Sequence, residues 1–467
     1  LRLADNPALT AAASAGAVLP VYILDDIHSG NHRMGEASRW WLHHSLIALN
    51  RALSGKLVVM VGDPAEILPR LALATSAKVI HWNRAYEPWR ITRDAKIKTQ
   101  CADQGIKAQS YNGSLLWEPW EVLKKDGMPY KVFTPFYRRG CLAAAPPRPP
   151  LPVPPTLAIA EFDYHIEGAR DITKLALLPK HNWKDGLAAT WCVGETAALD
   201  RLNAFLDDGL HGYKNYRNFP AKHNVSRLSA HLHWGEISPN TVWYAAKDRM
   251  DAGFDNDCDC DHFLSELGWR EFSYSLLYHF PELPRKNLNP RFDNFDWHDD
   301  PMLLDSWQKG QTGYPIVDAG MRELSQTGYM HNRVRMIVGS FLVKNLRLHW
   351  HHGEAWFWNC LVDADLANNS AGWQWIAGCG ADAAPYFRIF NPITQGIKFD
   401  ADGDYIRCYV PELADLPGDY LYKPWEAPSD ILAAAGVRLG ETYPKPIVDV
   451  KTSREAALAA FSALRNG

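Results

Sequence analysis

The run at residues 350–392, W-H-H-G-E-A-W-F-W-N-C-L-V-D-A-D-L-A-N-N-S-A-G-W-Q-W-I-A-G-C-G-A-D-A-A-P-Y-F-R-I-F-N-P, constrains this chain more than any other stretch. Five indoles, at 350, 356, 358, 373 and 375, stand among two carboxylates (Asp363, Asp365) and two amides (Asn368, Asn369). An ordinary core does not mix these groups, because every buried amide or carboxylate needs a partner. A planar heteroaromatic group would supply such partners: its edges take hydrogen bonds and its faces take aromatic and apolar contacts. The C-terminal half is therefore expected to fold around a pocket.

The remaining pattern divides the chain. At 467 residues it exceeds what one simple core accommodates. Apolar runs at 18–24, 57–61 and 77–82 read as buried parallel strands, and helical spacing at 38–53 and 64–75 falls between them. That alternation predicts a doubly wound parallel sheet. Gly62-Asp63-Pro64 follows one strand and opens a helix, as a ligand-binding or a structural turn. Seven prolines at 143–155 forbid regular structure and read as a stiff extended linker. From about Trp191 the spacing turns helical, over 195–206, 261–278, 314–325 and 329–348. The expected architecture is α/β plus all-α: a sheet domain over 1–130, a linker over 131–190 and a large helical domain over 191–467. The opening L-R-L-A-D-N-P-A-L reads as the sequel to a strand, so an apolar strand is expected upstream of it.

Bulk charge does not advertise a partner: 49 basic residues face 53 acidic ones, a net of −4. Local clustering does. Residues 321–350 hold Arg322, Arg333, Arg335, Lys344 and Arg347 against Glu323 alone, a basic stripe that fits a phosphate footprint or a solvated helix face. Eight scattered cysteines give no disulfide or zinc spacing, and no metal site is expected. The histidines at 349, 351 and 352 lack a partner ligand set and read as surface or capping groups. No apolar run is long enough for a membrane span. Gly378-Cys-Gly380 opens a loose G-x-G-x-x-A, but late in a helical domain and running into Pro385, so it is no dinucleotide fingerprint.

Three further constellations carry chemistry. Y-K-N-Y-R-N-F-P-A-K-H-N-V-S-R-L-S (213–229) precedes a helix, where Ser226 and Ser229 are expected to cap and to offer donors to an anion. Along 329–348, Asn332, Arg335, Met336 and Gly339 share one helical face, too polar for core and suited to a planar ligand approached closely at Gly339. Along 261–278, Glu266, Trp269 and Arg270 lie within one turn.

The pattern D-x-D…N-N…G-W-x-W…D-A-A-P-Y-F-R-I-F-N-P resembles the flavin-binding region of the DNA photolyase and cryptochrome family, and the resemblance extends over nearly the whole chain. It implies FAD as cofactor. Tyr213, Ser226, Arg227, Leu228, Ser229, Phe263, Arg270, Arg335, Asp363, Asp365 and Asn369 would bind it, with Asp363 and Asp365 beside the ring and ribitol and Asn369 facing the flavin N5. An amide can offer a donor or an acceptor there and so tune the flavin's redox state. Arg335 would pair with Asp363 and hold it charged. Val225 stands where relatives often have threonine, and Tyr329 and Phe263 where they often have tryptophan.

H-N-R-V-R-M (331–336) resembles the form found in photolyases that repair cyclobutane pyrimidine dimers. On that likeness Glu266 and Asn332 would hydrogen-bond the dimer bases, Met336 would sit beside them, Trp269 and Trp375 would wall them, and Arg217 and Arg333 would hold flanking phosphates. Trp373, Trp350 and Trp297 match the family's tryptophan chain that photoreduces oxidised FAD. The implied function is light-driven repair of such dimers in UV-damaged DNA. The protein is expected to act as a cytoplasmic monomer in a prokaryote, with a second antenna chromophore that is a folate such as methenyltetrahydrofolate or a deazaflavin. The alternatives are a cryptochrome-type photoreceptor, a six-four photoproduct photolyase (which carries histidine pairs where only His331 stands here) and, from another class, a carbohydrate enzyme using paired carboxylates.

Overall fold

The computed structural model describes residues 1–162, 165–179, 183–253, 257–383 and 387–466. They form two compact units. One contains residues 1–184, 191–211 and 226–281; the other contains 185–190, 212–225 and 282–467.

The first unit opens with the parallel α/β layer. Strand β1 (Val21–Leu24) pairs with β2 (Val58–Val61) in the register Val21↔Val58 to Leu24↔Val61. Strand β3 (Val79–Asn83) pairs with β4 (Lys107–Tyr111), also in parallel. Helices Glu36–Ala52 and Pro88–Asp103 supply the crossovers that these two parallel pairs demand, and helix Pro64–Ala74 leads from the first pair to the second. Proline opens two of them at the first turn, where no amide donor is required, and Asp63 caps one by accepting from the Ala65 amide at 2.7 Å. The turn Gly62-Asp63-Pro64 is thus a capping turn. Leu24 and Val59 pack on Leu42 and Leu46, and Ala72, Ile97 and Ile106 form a second cluster. The strands are half-buried rather than fully covered, and β4 carries no apolar run (K-A-Q-S-Y), which is why hydrophobic patterning passes over it. Residues 144–155 form neither helix nor strand. The same unit holds the long helix Asp257–His279, where glycine at 268 admits the Tyr137 ring; a Cβ there would lie 2.5 Å from it.

The second unit is helical. The helix expected over 329–348 is shorter at both ends. It runs Asn332–Ser340 and closes with one widened turn, Phe341–Asn345, in which the Leu346 amide reaches back to the Phe341 carbonyl. Gly328, at φ 66°, ends the preceding helix Pro315–Thr327, and only Tyr329 and Met330 follow before His331 caps the next one with its ring nitrogen. Apolar spacing continues through this break because Tyr329 and Met330 are buried as turn residues. Helices Trp350–Cys360, Leu366–Ala377, Asp404–Tyr409 and Val450–Asn466 follow.

Candidate functional site

The predicted site residues are divided between the units. Tyr213, Arg217, Trp297 and everything from Asn332 to Trp375 belong to the second; Ser226 to Ser229, Phe263, Glu266, Trp269 and Arg270 belong to the first.

At the centre of the second unit lies an ion pair. Arg335 donates through Nη2 to both Asp363 oxygens, at 3.1 and 2.9 Å, and through Nε to the Met330 carbonyl at 2.7 Å. The Asp363 side chain is 4% exposed, so the pair is screened little by solvent. Burial opposes the Arg335 charge, but Asp363 and the neighbouring Tyr329 and Glu323 outweigh it and hold the guanidinium's pKa above its ordinary value. Asp365 caps helix Leu366–Ala377 through Oδ1, which accepts from the Asn368 amide at 2.8 Å and its side chain at 2.9 Å. Asn369 is buried, and its Nδ2 donates to the Glu354 carbonyl at 3.0 Å. That bond fixes which way the amide points: the nitrogen is spent on Glu354, and no described residue donates to Oδ1. The Glu354 carboxyl itself is buried against the Ser370 hydroxyl, and burial pushes it up to about 8.

Asn332 is the first residue of its helix and is exposed, with Met336 half-buried one turn on. Arg333 donates to Asn218 Oδ1 at 2.8 Å, lies 4.5 Å over the Phe399 ring, and has its pKa lowered by burial and by Arg217. Arg217 in turn sits 5.3 Å over the buried Tyr213 ring.

Two expectations fail here. Gly339 does not face a ligand: a Cβ on it would meet Ile376 at 2.9 Å and Trp373 at 3.5 Å, so its smallness serves packing between two helices. Nor is 321–350 a basic stripe. Arg322 pairs with Glu412, Arg335 with Asp363 and Arg347 with Asp296, while Lys344 is buried under Phe387 with Nζ on the Arg388 carbonyl, its pKa pushed down to about 7 by desolvation. Charge counting along a sequence does not see distant carboxylates.

The three tryptophans expected to form a relay, Trp373, Trp350 and Trp297, lie in one unit. Trp373 is 2% exposed and its ring covers Gly353, one turn beyond Trp350 on helix Trp350–Cys360. Trp350 is fully buried and donates to Asn287 Oδ1 at 2.9 Å. Between it and the half-buried Trp297 stands the His349 ring, at centroid distances of 5.6 and 4.9 Å. His349 also caps its helix, accepting from the His351 amide at 3.2 Å, as a capping reading expects. Trp375 is half-buried beside Lys344, Asp382 and Arg388 in one cleft. Ala384, Pro385 and Tyr386 of the same run lie outside the described residues.

In the first unit, the anticipated serine caps are not formed. Helix Ser229–Trp234 begins after Leu228 with no side-chain cap; Ser226 Oγ accepts only a long 3.4 Å bond from the Leu228 amide, and Ser229 is already the first helical residue. The cause is Arg227 at φ 52°, a left-handed residue that turns the chain before the helix and carries Ser226 away from the capping position. On helix Asp257–His279, Phe263 is buried and packs on Phe205 at 4.7 Å. Glu266, Trp269 and Arg270 are half-buried. Trp269 is stacked 3.9 Å from Phe133 at 12°, which covers one face of the indole and fixes its plane. Arg270 lies over Tyr274 and pairs at 3.0 Å with Glu271, which accepts the Leu116 and Trp117 amides.

Sequence reading overlooked Glu354, yet the signal was present: Trp350, Glu354 and Phe357 share the buried face of one helix, and a carboxylate on such a face is anomalous. It overlooked Glu323 and Tyr405 as well, which no local pattern connects.

Comparison with known proteins decides the family. The model for DNA photolyase matches residues 1–155, and that for the FAD binding domain of DNA photolyase matches residues 263–463. A deoxyribodipyrimidine photo-lyase of Agrobacterium fabrum is 49% identical over 100% of this chain and 96% of its own length. The chain belongs to the DNA photolyase and cryptochrome family. Among its solved relatives, a bacterial class III photolyase from Agrobacterium tumefaciens superposes with a TM-score of 0.95 at 48% identity, covering 100% of this chain and 96% of that one. Cryptochrome-2 of Arabidopsis thaliana is 38% identical over 100% of this chain and 78% of its own. Membership brings FAD as the cofactor of a photolyase-type flavin domain, and the residues present fit it. A buried amide with its oxygen left to accept and a buried carboxylate paired with arginine are a hydrogen-bonding set for a flavin edge. No helix among the described residues is long and apolar enough to cross a membrane.

Proposed function

We propose that this protein is a light-driven lyase that splits cyclobutane pyrimidine dimers in DNA. FAD, bound and reduced, supplies the excited-state electron donor. The chain's own residues hold, shield and orient. Asn369 presents Oδ1 to a protonated flavin nitrogen, because its Nδ2 is engaged by Glu354; an acceptor there favours the reduced form. Asp363, oriented by Arg335, would take hydrogen bonds from the ring's other edge. Tyr213, Ser226, Arg227, Leu228, Ser229, Phe263, Arg270 and Asp365 complete the cradle.

A dimer inside duplex DNA cannot reach a buried ring, so it must leave the stack at a cost of a few kcal/mol, least for damaged bases. Trp269 and Trp375 wall the extruded dimer, each stacked base recovering roughly 1–3 kcal/mol. Glu266 and Asn332 hydrogen-bond the bases and offset charge that develops on them, Met336 lies alongside, and Arg217 and Arg333 hold neighbouring phosphates. Trp373, Trp350 and Trp297 would pass electrons inward and so reduce an oxidised flavin. In this reading the protein works as a monomer in the cytosol beside the nucleoid, its partner is UV-damaged DNA, and an antenna pigment, a folate or a deazaflavin, belongs to the α/β part.

The observation that carries the proposal is one helix that bears Arg335, paired with Asp363, together with Arg333 and, at its exposed first position, Asn332. One helix thereby joins a phosphate footprint and a base-reading amide to the flavin-side ion pair. The test is repair of a thymine-dimer oligonucleotide under blue light, dark controls alongside. Loss of dimers only in light supports the lyase; photoreduction without repair supports the photoreceptor reading, which the 38% identity to cryptochrome-2 favours.

A further inference from the structure

The turn that delivers Asn332 is fastened from below by buried groups to which the proposed function assigns no contact with flavin or DNA. Glu323, 2% exposed on helix Pro315–Thr327, accepts on one oxygen both the His331 amide at 3.2 Å and the Tyr405 hydroxyl at 2.6 Å. His331, also 2% exposed, uses its ring Nδ1 to accept the Arg333 amide at 3.2 Å and so caps the helix that Asn332 begins. Tyr405 is 3% exposed, and its own helix is capped by Asp400, whose two oxygens accept the Tyr405 and Ile406 amides at 2.9 Å. The neighbouring Phe399 is the ring beneath Arg333. The rest of the turn is equally fixed: Thr327 Oγ1 accepts the Tyr329 amide, the Val362 amide donates to the Gly328 carbonyl, and Arg335 Nε donates to the Met330 carbonyl. A carboxylate held under a turn by two donors, in a region otherwise apolar, is costly to bury unless its bonds are made. Here they are, and what they fix is the position of one exposed amide.

We propose that Glu323, together with Tyr405, is a positioning pair that sets how well Asn332 discriminates a pyrimidine dimer from intact bases. The inference rests on the reading that Asn332 contacts the dimer. A base-reading amide must be held within a fraction of an ångström, and Asn332 stands exposed at the first position of its helix. Glu323 and Tyr405 restrain it from the core side.

The experiment measures affinities of the FAD-loaded protein for a thymine-dimer oligonucleotide and for the same sequence undamaged, and takes their ratio. N332A is expected to lower the ratio about tenfold, the loss of a well-made hydrogen bond. E323A is expected to lower it by a similar factor while affinity for undamaged DNA and FAD content per chain stay at the wild-type value. E323Q should stay near wild type, since its amide oxygen can accept both donors, and the E323A/N332A double variant should be no worse than either single. Should E323A not fold, Y405F removes one donor without emptying the site, and a loss of about threefold is expected. An E323A or Y405F ratio equal to wild type, or losses that multiply in the double variant, overturns the role of Glu323. An N332A ratio equal to wild type removes the dimer-contact reading itself, and this inference with it.

Discussion

Replacing Gly353 by alanine sets two known effects against each other at one atom. Glycine inside a helix costs about 0.5–1 kcal/mol relative to alanine, so on propensity alone the variant gains stability. The structure reverses the sign. The new Cβ would stand 2.1 Å from Trp373 Cη2 and 2.5 Å from Cζ2 and Cζ3, whereas carbon atoms rest at about 3.5–4.0 Å. The ring, 2% exposed, would have to retreat by about 1.4 Å to reach that range. It has nowhere to go: Phe357 meets it edge-on at 5.0 Å and Trp307 at 6.2 Å, and Trp307 is fully buried with its own nitrogen on the Val338 carbonyl at 3.0 Å. Overpacking of this kind costs about 1–3 kcal/mol, so G353A is expected to be net destabilising by about 1–2 kcal/mol. Gly372, on the next helix, is the control, because its Cβ would meet nothing within 4 Å; G372A should gain up to about 1 kcal/mol. The assay is the urea midpoint of each FAD-loaded variant, followed by helical content and by flavin fluorescence separately, since two units need not unfold together. Photoreduction of oxidised flavin should also slow in G353A, whose displaced indole heads the relay. A G353A midpoint at or above that of G372A would refute the packing argument.

Three further outcomes follow from the site. Trp373→Phe should slow photoreduction at least tenfold while repair by chemically pre-reduced protein stays at the wild-type rate; time-resolved absorption beside a repair assay reads both. Glu266→Ala should weaken dimer repair about tenfold or more with FAD still bound, which flavin absorbance per chain verifies, and unchanged repair would remove its assigned role. Glu354 gives a pH dependence of defined sign. Burial holds its carboxyl up to about 8 in the folded chain, while the unfolded chain releases that proton near pH 4.5. The folded state therefore binds more protons between these limits, so the stability this group contributes is full below the lower one and lost as pH rises through the upper. Glu354→Gln should flatten that slope, and urea midpoints at pH 5, 6.5 and 8 should show the variant gaining on wild type as pH rises, by roughly 1.4 kcal/mol per pH decade at most. A gap that does not change with pH would mean Glu354 is ionised in the folded protein.

Much of this fold and site can be read from residue order, and the parts that cannot share a cause. Parallel strands and helix starts are local: apolar runs, Pro64 and Pro88 at first turns and Asp63 as cap all act within a few residues, and all appear where patterning puts them. The Arg335–Asp363 bond is not local, yet it was anticipated, because the resemblance carries spatial information that spacing lacks. Where neither source helps, the reading goes astray in one direction. The basic run at 321–350 looks like a surface because its carboxylate partners, Glu412, Asp363 and Asp296, lie far along the chain. Gly339 looks like a ligand gap because Ile376, which fills it, belongs to another helix. The serines at 226 and 229 look like caps because nothing in the sequence announces that Arg227 turns left-handed.

The buried carboxylates make the same point from the other side. Glu323 and Glu354 sit in sequence beside ordinary surface letters, Arg322 and Ala355, and each carboxyl bonds the residue next to a proposed site amide: Glu323 holds His331 before Asn332, and Glu354 holds Ser370 after Asn369. A polar group is retained in a core only where its bonds are made, and making them fixes the partner. On the proposed function, the site therefore also depends on carboxyl groups that are assigned no contact with cofactor or DNA. A helical wheel can locate such a residue, as it does Glu354 between Trp350 and Phe357; what it positions emerges only once the distant turn it supports has been brought against it.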